Sequence, residues 1–131
     1  MSFEWVSQQK IFEALNGNIS CDVYDVAPQG AQYPHADFGE TISSEGGTST
    51  ETSKSMSYSI NIWARQNGSE SDVMQVKKLQ DEVFDALHLL KFSEVGFSFT
   101  ENYSVSTQNF KDIDGVTRHG VQEFQFNIEK V

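Results

Sequence analysis

The chain has 131 residues, a formal net charge of −10, nine scattered basic residues and one cysteine. A chain of this length buries about two-thirds of its unfolded surface, which is enough for one domain with an apolar core. Scattered Lys and Arg exclude the clustered basic surface that nucleic-acid or anionic-membrane binding requires. The single Cys21 excludes an internal disulfide, and we interpret it as an inert core thiol.

The amino terminus carries acidic Glu4 where a signal peptide would be basic, and it has no apolar core. No stretch approaches the ~20 apolar residues that are needed to cross a bilayer. We therefore expect no membrane partner, and a protein made and kept in the cytoplasm or in a particle assembled there.

The first predicted helix covers residues 3–16, with Trp5, Phe12 and Leu15 near one face. The sequence Asn-Gly-Asn that follows is typical of a helix end. Residues 19–26 alternate weakly and predict a short edge strand.

The next predicted strand places alternate residues on one face, and these are Ala36, Phe38, Glu40 and Ile42. Residues 43–55 then contain no apolar side chain, which predicts an exposed, mobile polar loop. Two interpretations stay open: a hairpin tip without a role, or an arm that becomes ordered against a partner.

The clearest strand covers residues 55–65. One face is apolar and consists of Met56, Tyr58, Ile60, Ile62 and Ala64. The other face is small and polar, as in an antiparallel sheet that is covered on one side. Trp63 is the exception on that polar face, either as a covered rim residue or as an anchor at a protein interface.

The longest periodic segment, residues 69–90, predicts an amphipathic helix. Its apolar face consists of Val73, Val76, Leu79, Val83, Phe84, Leu87 and Leu90, and its polar face of Asp72, Gln75, Lys78, Asp81, Glu82 and Asp85. Ser69 followed by Asp72 resembles a capping box. His88 and Lys91 lie near the carboxyl end, where the helix dipole favours positive charge.

Two long alternating segments, 95–107 and 120–128, predict a β-hairpin around Asp114-Gly115. With these two residues as the loop, Val105 faces Phe124, Tyr103 faces Phe126 and Ile113 faces Val116. This register places the apolar residues of both strands on one face.

No enzyme motif is present, and the three histidines lack metal-ligand spacing. The segment around Asp112 and Asp114 fails as a calcium loop, because Phe110 and Val121 occupy two of the ligand positions. We expect no catalytic residue, cofactor or metal. The predicted fold is α+β: a mainly antiparallel sheet with two helices packed on one face, forming one domain over residues 1–131.

Five stretches carry a family resemblance: IFEAL, VYDVAPQGAQYPH, SYSINIWAR, VKKLQDEVFDALH and DIDGVTRHGVQEFQF. In this order they resemble the tail-completion, or tail terminator, proteins of long-tailed phages and gene transfer agents. The resemblance covers residues 8–128. The chain departs from the usual pattern in the Ser/Thr-rich composition of residues 43–55.

The resemblance implies a non-enzymatic virion assembly protein in a ring, typically a hexamer, at the head-proximal end of the tail. Such a ring caps the tail tube, ends its elongation and forms part of the head–tail junction. The implied partners are further copies of the chain, the tail tube protein and the head–tail connector or stopper. DNA would pass through the bore without specific binding, since like charges repel.

Two alternatives remain. One is a head-completion or stopper protein of the same neck region. The other is a small α+β ligand-binding domain or enzyme, for which the cluster of Asp112, Arg118 and His119 is the best argument. As interface residues the sequence predicts the loop, the exceptional tryptophan and the hairpin tip: Glu45, Thr48, Glu51, Lys54, Trp63, Asp112, Asp114, Arg118 and His119.

Overall fold

The computed structural model describes residues 3–44, 53–88, 90, 93–94 and 96–130. The predicted α+β class is confirmed, with two helices packed on one face of a mostly antiparallel sheet. The elements are α1 (Phe3–Leu15), β1 (Asp22–Tyr24), β2 (His35–Ser44), β3 (Ser53–Arg65), α2 (Asp72–Leu87), β4 (Ser93–Glu94), β5 (Phe97–Lys111) and β6 (Thr117–Lys130).

The six strands form one sheet in the order β1-β2-β3-β6-β5-β4. β1 is parallel to β2, and every other pair of neighbours is antiparallel. The prediction that residues 19–26 hold a short edge strand is confirmed by β1. No helix in the described part of the chain is long and apolar enough to span a membrane.

The core lies between the sheet and the two helices. The predicted apolar face of β3 is confirmed, because its five residues from Met56 to Ala64 are at most 1% exposed. β6 adds three side chains of the same parity, Phe124, Phe126 and Ile128. Burial of such apolar surface is the dominant stabilising contribution to the fold.

The predicted face of α1 is confirmed at Leu15, which is buried, and at Phe12, which packs against the core, but it is wrong at Trp5. The buried residues of the helix are Phe3, Val6, Ser7, Ile11 and Leu15. Trp5 is 62% exposed. The helix is weakly amphipathic, so the elements that it packs against, rather than the sequence period, decide which stripe is covered.

α2 begins three residues later than predicted. Ser71 is its N-cap and accepts a hydrogen bond from the backbone N–H of Met74. The predicted capping box at Ser69 is therefore wrong. His88 is the C-cap, and Lys91 lies outside the described residues.

The polar face of α2 is also corrected, because Asp72 and Gln75 are buried. Gln75 donates to the backbone carbonyl of Arg65 at 2.7 Å. Asp72 accepts from Lys111 at 2.6 Å. These polar side chains can be buried because each has a hydrogen-bond partner in the sheet. The helical period of the sequence does not show such partners.

β2 contains a bulge between Phe38 and Thr41. The extra residue shifts the parity of the strand, so Ile42 pairs with Ser57 and is 58% exposed. The expectation that Ile42 shares the core face of Ala36 is therefore wrong.

The predicted loop at 43–55 is shorter than expected. β2 continues through Ser44 and β3 already begins at Ser53. The sites predicted at Glu45, Thr48 and Glu51 lie outside the described residues.

The β5–β6 register agrees with the prediction only near the turn. Lys111 faces Arg118 and Ser106 faces Glu123, as the predicted loop requires. Shifts between Ser104 and Ser106, and between Phe99 and Glu101, then change the register. The predicted pairs of Val105 with Phe124 and of Tyr103 with Phe126 are therefore wrong.

α2 crosses the sheet at Gly120. A Cβ atom there would lie 2.6 Å from Val76 Cγ1 and 2.7 Å from Gln80 Nε2. Gln80 in turn donates to the backbone carbonyl of Gln108 at 3.0 Å. The absence of a side chain at Gly120 thus allows the close approach of helix and sheet.

A buried hydroxyl and a partly buried thiol lie beside the apolar core. The Tyr58 hydroxyl is hydrogen-bonded to the Ser7 hydroxyl, which links β3 to α1. Burial raises the pKa of Tyr58 to about 12. Burial, with the nearby Glu82 and Asp22 charges, raises the pKa of the Cys21 thiol to about 12. The thiol therefore stays protonated at neutral pH, as an inert thiol does.

Candidate contact surface at one end of the sheet

The predicted interface residues fall into two separate groups. Lys54 lies near the start of β3, and Trp63 lies near its end beside the β5–β6 turn. They are nine residue steps apart along an extended strand, which corresponds to about 30 Å. The predicted set is therefore not one site.

Lys54 has a structural contact in the fold. Its Nζ atom lies 3.4 Å from Glu4 Oε1 and 5.4 Å from the centre of the Phe3 ring. Both charged groups are partly exposed, so this ion pair contributes little to stability. It connects the start of β3 to α1.

The turn between β5 and β6, residues 112–116, is braced by Asp114. Its carboxylate accepts from the Thr117 hydroxyl at 2.6 Å, the Thr117 N–H at 2.8 Å and the Val116 N–H at 2.9 Å. The hydrogen bonds from Thr117 and then Val116 lower the pKa of Asp114 to about 2. The carboxylate is therefore ionised at neutral pH and holds the turn closed.

The turn is longer than the predicted two-residue loop. The Asp112 N–H donates to the Thr117 carbonyl at 2.7 Å, and the Gly115 N–H donates to the Asp112 carbonyl at 3.0 Å. Ile113 and Val116 thus lie within the loop instead of pairing across it. Gly115 has φ +74°, a conformation that glycine adopts without strain.

Arg65 connects this turn to the chain before β2. It donates to the Thr117 hydroxyl at 3.0 Å and lies 3.7 Å from the Asp114 carboxylate. Its guanidinium also lies over the Tyr33 ring, 4.2 Å from the centre. These contacts hold the turn against the body of the domain.

Arg118 lies on the helix side of the sheet. It pairs with Ala64, and its Nε atom is 3.6 Å from Asp72 Oδ2. The hydrogen bond from Lys111 is the main reason why the pKa of Asp72 is lowered, and Arg118 contributes less. Arg118 and Lys111 thus bind α2 to the β5–β6 hairpin.

His119 lies on the opposite, open face of the sheet. Its ring is stacked on Trp63 at 3.8 Å between centres and 11° between planes. Phe110 meets the same ring edge-on at 5.1 Å. We call this group of Trp63, Phe110 and His119 the aromatic platform.

A hydrogen-bonded chain supports the platform from β2 and β3. Asp37 Oδ1 accepts from Trp63 Nε1 and from Asn61 Nδ2, each at 3.1 Å. Asn61 Oδ1 lies 2.8 Å from His119 Nε2, so the ring donates from Nε2. Burial lowers the pKa of His119 below its usual range, although Asp112 and Asp37 oppose this effect. The lowered pKa favours the neutral ring.

The structure brings Trp63, His119, Asp112 and Asp114 to one end of the sheet but separates Arg118 from His119. Adjacent strand residues point to opposite faces, so these two cannot act together on one substrate. Sequence reasoning missed Asp37, Asn61 and Phe110. These residues can be identified only from the pairing of β2 with β3 and of β5 with β6. The sequence of a single strand does not show that pairing.

Within the described residues, no group of three or more His, Cys, Asp or Glu side chains is placed to hold a metal ion. The turn adds exposed apolar side chains to the platform, because Ile113 is 101% and Val116 55% exposed. What this end of the sheet offers is a braced surface of aromatic, aliphatic and hydrogen-bonding groups.

Comparison with known proteins identifies the class. A family model described as tail completion protein gp17 matches residues 7–129. The tail completion protein gp17 of Bacillus phage SPP1 is 25% identical over 96 residues, which cover 73% of this chain and 68% of that protein.

Solved structures share the fold. A chain from the virion of a native gene transfer agent particle superposes with a TM-score of 0.76 at 16% identity, covering 98% of this chain and 99% of that chain. The structure of bacteriophage SPP1 gp17 superposes with a TM-score of 0.51 at 20% identity, covering 91% of this chain and 86% of that one.

These matches define the class as the phage tail completion proteins, which have a structural role in tail assembly. Because the family model covers nearly the whole chain, the chain belongs to the tail completion protein gp17 family. The resemblance seen in the sequence is thereby confirmed.

Proposed function

We propose that the protein caps the phage tail tube at its head-proximal end. Several copies form a ring, a hexamer in the arrangement that the resemblance implies. The ring ends tube elongation and forms part of the head–tail junction within the virion. The observation that carries this proposal is the family match over residues 7–129.

The geometry supports a contact role for the turn and the platform. Ile113 and Val116 are exposed apolar side chains on a turn that Asp114 braces. A rigid apolar tip loses little entropy when a partner covers it, so it is suited to anchor an interface. The partners in this proposal are the tail tube protein on one side and the head–tail connector or stopper on the other.

The residues that we propose for these contacts are those of the turn and of the platform. Asp112 and Asp114 shape the turn, while Trp63 and His119 offer ring surface and hydrogen bonds on the open face. Arg118 supports the fold beneath them. Lys54, at the other end of β3, is a second proposed contact residue, and Glu45, Thr48 and Glu51, which precede it in the sequence, are proposed with it.

We also propose that DNA passes through the ring without binding it. The chain has a net charge of −10, and Asp37 and Glu123 belong to the open face of the sheet. Like charges disfavour DNA contact. Gel-shift measurements at low salt should show no complex, and a stable complex would contradict this part of the proposal.

The test uses purified protein and purified tail tubes. Electron microscopy should show rings at one end of each tube, and capped tubes should no longer elongate when tube protein is added. Virions that lack the protein but carry tails of normal length, correctly joined to capsids, would overturn the proposal. Copurification with heads instead of tails would indicate the stopper role.

A pair of matched variants tests the apolar tip. Ile113→Ser combined with Val116→Ser removes exposed side chains only, so the fold should be retained and binding to tube ends should fall. Val26→Ser changes a residue that is 85% exposed and far along the chain from the turn, so it is the control. Equal binding by both variants would exclude the tip from the contact.

A further inference from the structure

The sheet has two long edges that its own strands leave largely uncovered. β1 pairs with β2 only from His35 to Asp37, and β4 pairs with β5 only at Phe97 and Ser98. Among the described residues, no strand pairs with the outer side of residues 38–44 of β2 or 104–111 of β5. We call these stretches the β2 edge and the β5 edge.

Within the described part of the chain, the outer side of the β5 edge has backbone groups that no strand pairs with. The Asp112 N–H to Thr117 carbonyl bond begins the β5–β6 ladder, and antiparallel bonds recur at every second residue. The register is constant from Lys111 to Ser106, so the N–H groups of Thr107 and Asn109 point away from β6. The side chains of residues 104–108 are all exposed.

Each edge carries one charged residue, Glu40 on the β2 edge and Lys111 on the β5 edge. Lys111 is hydrogen-bonded to Asp72 of α2. Exposed edge strands in natural proteins commonly carry Lys or Pro, which discourage pairing with another chain. Each edge has a bulge, and the regular stretches beyond them are 41–44 and 106–111.

Each edge also exposes one β-branched apolar side chain. Ile42 is 58% exposed and Val105 is 51% exposed. Pairing with another strand would cover part of this surface, which favours association.

The strand directions decide which edge can pair with which. β2, β3, β6 and β5 are successively antiparallel, so β5 runs opposite to β2. If a second copy continues the sheet in the same orientation, its β2 edge meets the β5 edge of the first copy in antiparallel fashion. Antiparallel pairing is slightly more stable per residue than parallel pairing. This arrangement also keeps the helices of both copies on one face of the sheet.

We infer that copies of this chain associate edge to edge, with the β2 edge of one copy paired to the β5 edge of the next. This inference rests on the proposed ring and names its subunit contact. The contact is heterologous, because two different surfaces meet. Heterologous contacts form a closed ring when the rotation between neighbouring subunits is a whole fraction of a full turn. The open faces then line one side of the continuous sheet and the helices line the other.

The first test compares two substitutions at one position. Thr107→Pro removes an edge-facing N–H, and proline is tolerated on edge strands. Thr107→Ala removes the side chain and keeps the N–H. Both variants should melt like wild type, while ring formation on tail tubes should be about tenfold weaker for Thr107→Pro alone. Equal ring formation by both variants would overturn the inference.

The second test does not depend on the proline variant folding. In tails carrying a double variant, Thr41→Cys with Thr107→Cys, a short bis-maleimide should give a ladder of covalent multimers on a denaturing gel. Wild type is the background control, because the pKa of Cys21 is raised to about 12. Thr41→Cys with Lys77→Cys, on the exposed face of α2, should give no ladder.

The outcomes separate this inference from the proposed function. Dimers from Thr107→Cys alone would show that β5 pairs with β5 and would overturn the heterologous contact. Rings at tube ends without a ladder would refute the edge contact and leave the capping role intact. Absence of the protein from tails would refute the capping role itself.

Discussion

The two faces of the sheet share the same strands and differ in what covers them. On the helix-covered face, Tyr58, Phe124 and Phe126 are at most 1% exposed. On the open face, half-buried polar groups bond to one another: Ser57 donates to Glu123 at 2.8 Å, and Gln125 donates to Ser55 at 2.6 Å. The covered face therefore stabilises the fold, and the open face keeps hydrogen-bonding groups that a partner can use.

Arg118 and His119 show the same difference at one point of β6. They are adjacent in sequence, but Arg118 reaches Asp72 on α2 while His119 stacks on Trp63. A change at Arg118 acts first on helix attachment, whereas a change at His119 acts first on the contact surface. Experiments on the two faces should accordingly separate stability from assembly.

The largest expected difference between the faces comes from one pair of neighbours. Phe126→Ala should lower the free energy of unfolding by about 3–5 kcal/mol, because it leaves a cavity in the core. Gln125→Ala, which removes only a hydrogen bond to Ser55, should cost about 1 kcal/mol. Urea denaturation measures both, and equal costs would contradict the assignment of the faces.

The next effect is expected where α2 touches the sheet. Gly120→Ala should destabilise the protein by about 1–3 kcal/mol, because the new methyl group overlaps Val76 and Gln80. Ser59→Ala on the open face should change stability by less than about 0.5 kcal/mol. If Gly120→Ala left the free energy of unfolding unchanged, α2 would be able to move away from β6 without loss of stability.

A smaller and pH-dependent effect is expected at Asp72. Asp72→Asn should cost about 1–2 kcal/mol at pH 7 through the weakened bonds to Lys111 and Arg118. The pKa of Asp72 is lower in the folded than in the unfolded chain, so this contribution is present above the unfolded pKa. It should vanish as the pH falls through the folded pKa. Denaturation of both proteins across pH 2–7 checks this, and a constant difference would refute it.

The smallest expected effect is the titration of His119 on the open face. NMR should find its midpoint below about 6.5, because burial disfavours the charged ring. The unfolded chain then binds this proton more readily, so stability should decline slightly as the pH falls below the unfolded pKa. His119→Gln should remove the part of the fall in stability that comes from protonation of this histidine in the unfolded chain. A pKa of His119 above the usual value would show that the charges of Asp37 and Asp112 outweigh the effect of burial.

Several features could be predicted because they depend on local periods. The alternation of β3 identified its covered face, and Asp114-Gly115 located the turn. The bulges in β2 and β5 could not be predicted, because one inserted residue reverses the parity of all that follows. The exposure of Trp5 on α1 could not be predicted either, because a weakly defined apolar stripe takes its orientation from the elements that pack against it.

The family resemblance rests on particular stretches of sequence. The order of polar and apolar residues by itself determined the α+β class, the covered face of β3 and the position of the β5–β6 turn. These follow from contacts within a few residues of chain and from fixed helical and strand periods. Only the tertiary structure decided that Asp72 is buried against Lys111, that Arg118 and His119 face opposite ways, and that Asp37 and Asn61 support Trp63. Each of these depends on strands that are far apart in sequence, and their register is set when the whole sheet packs against its helices.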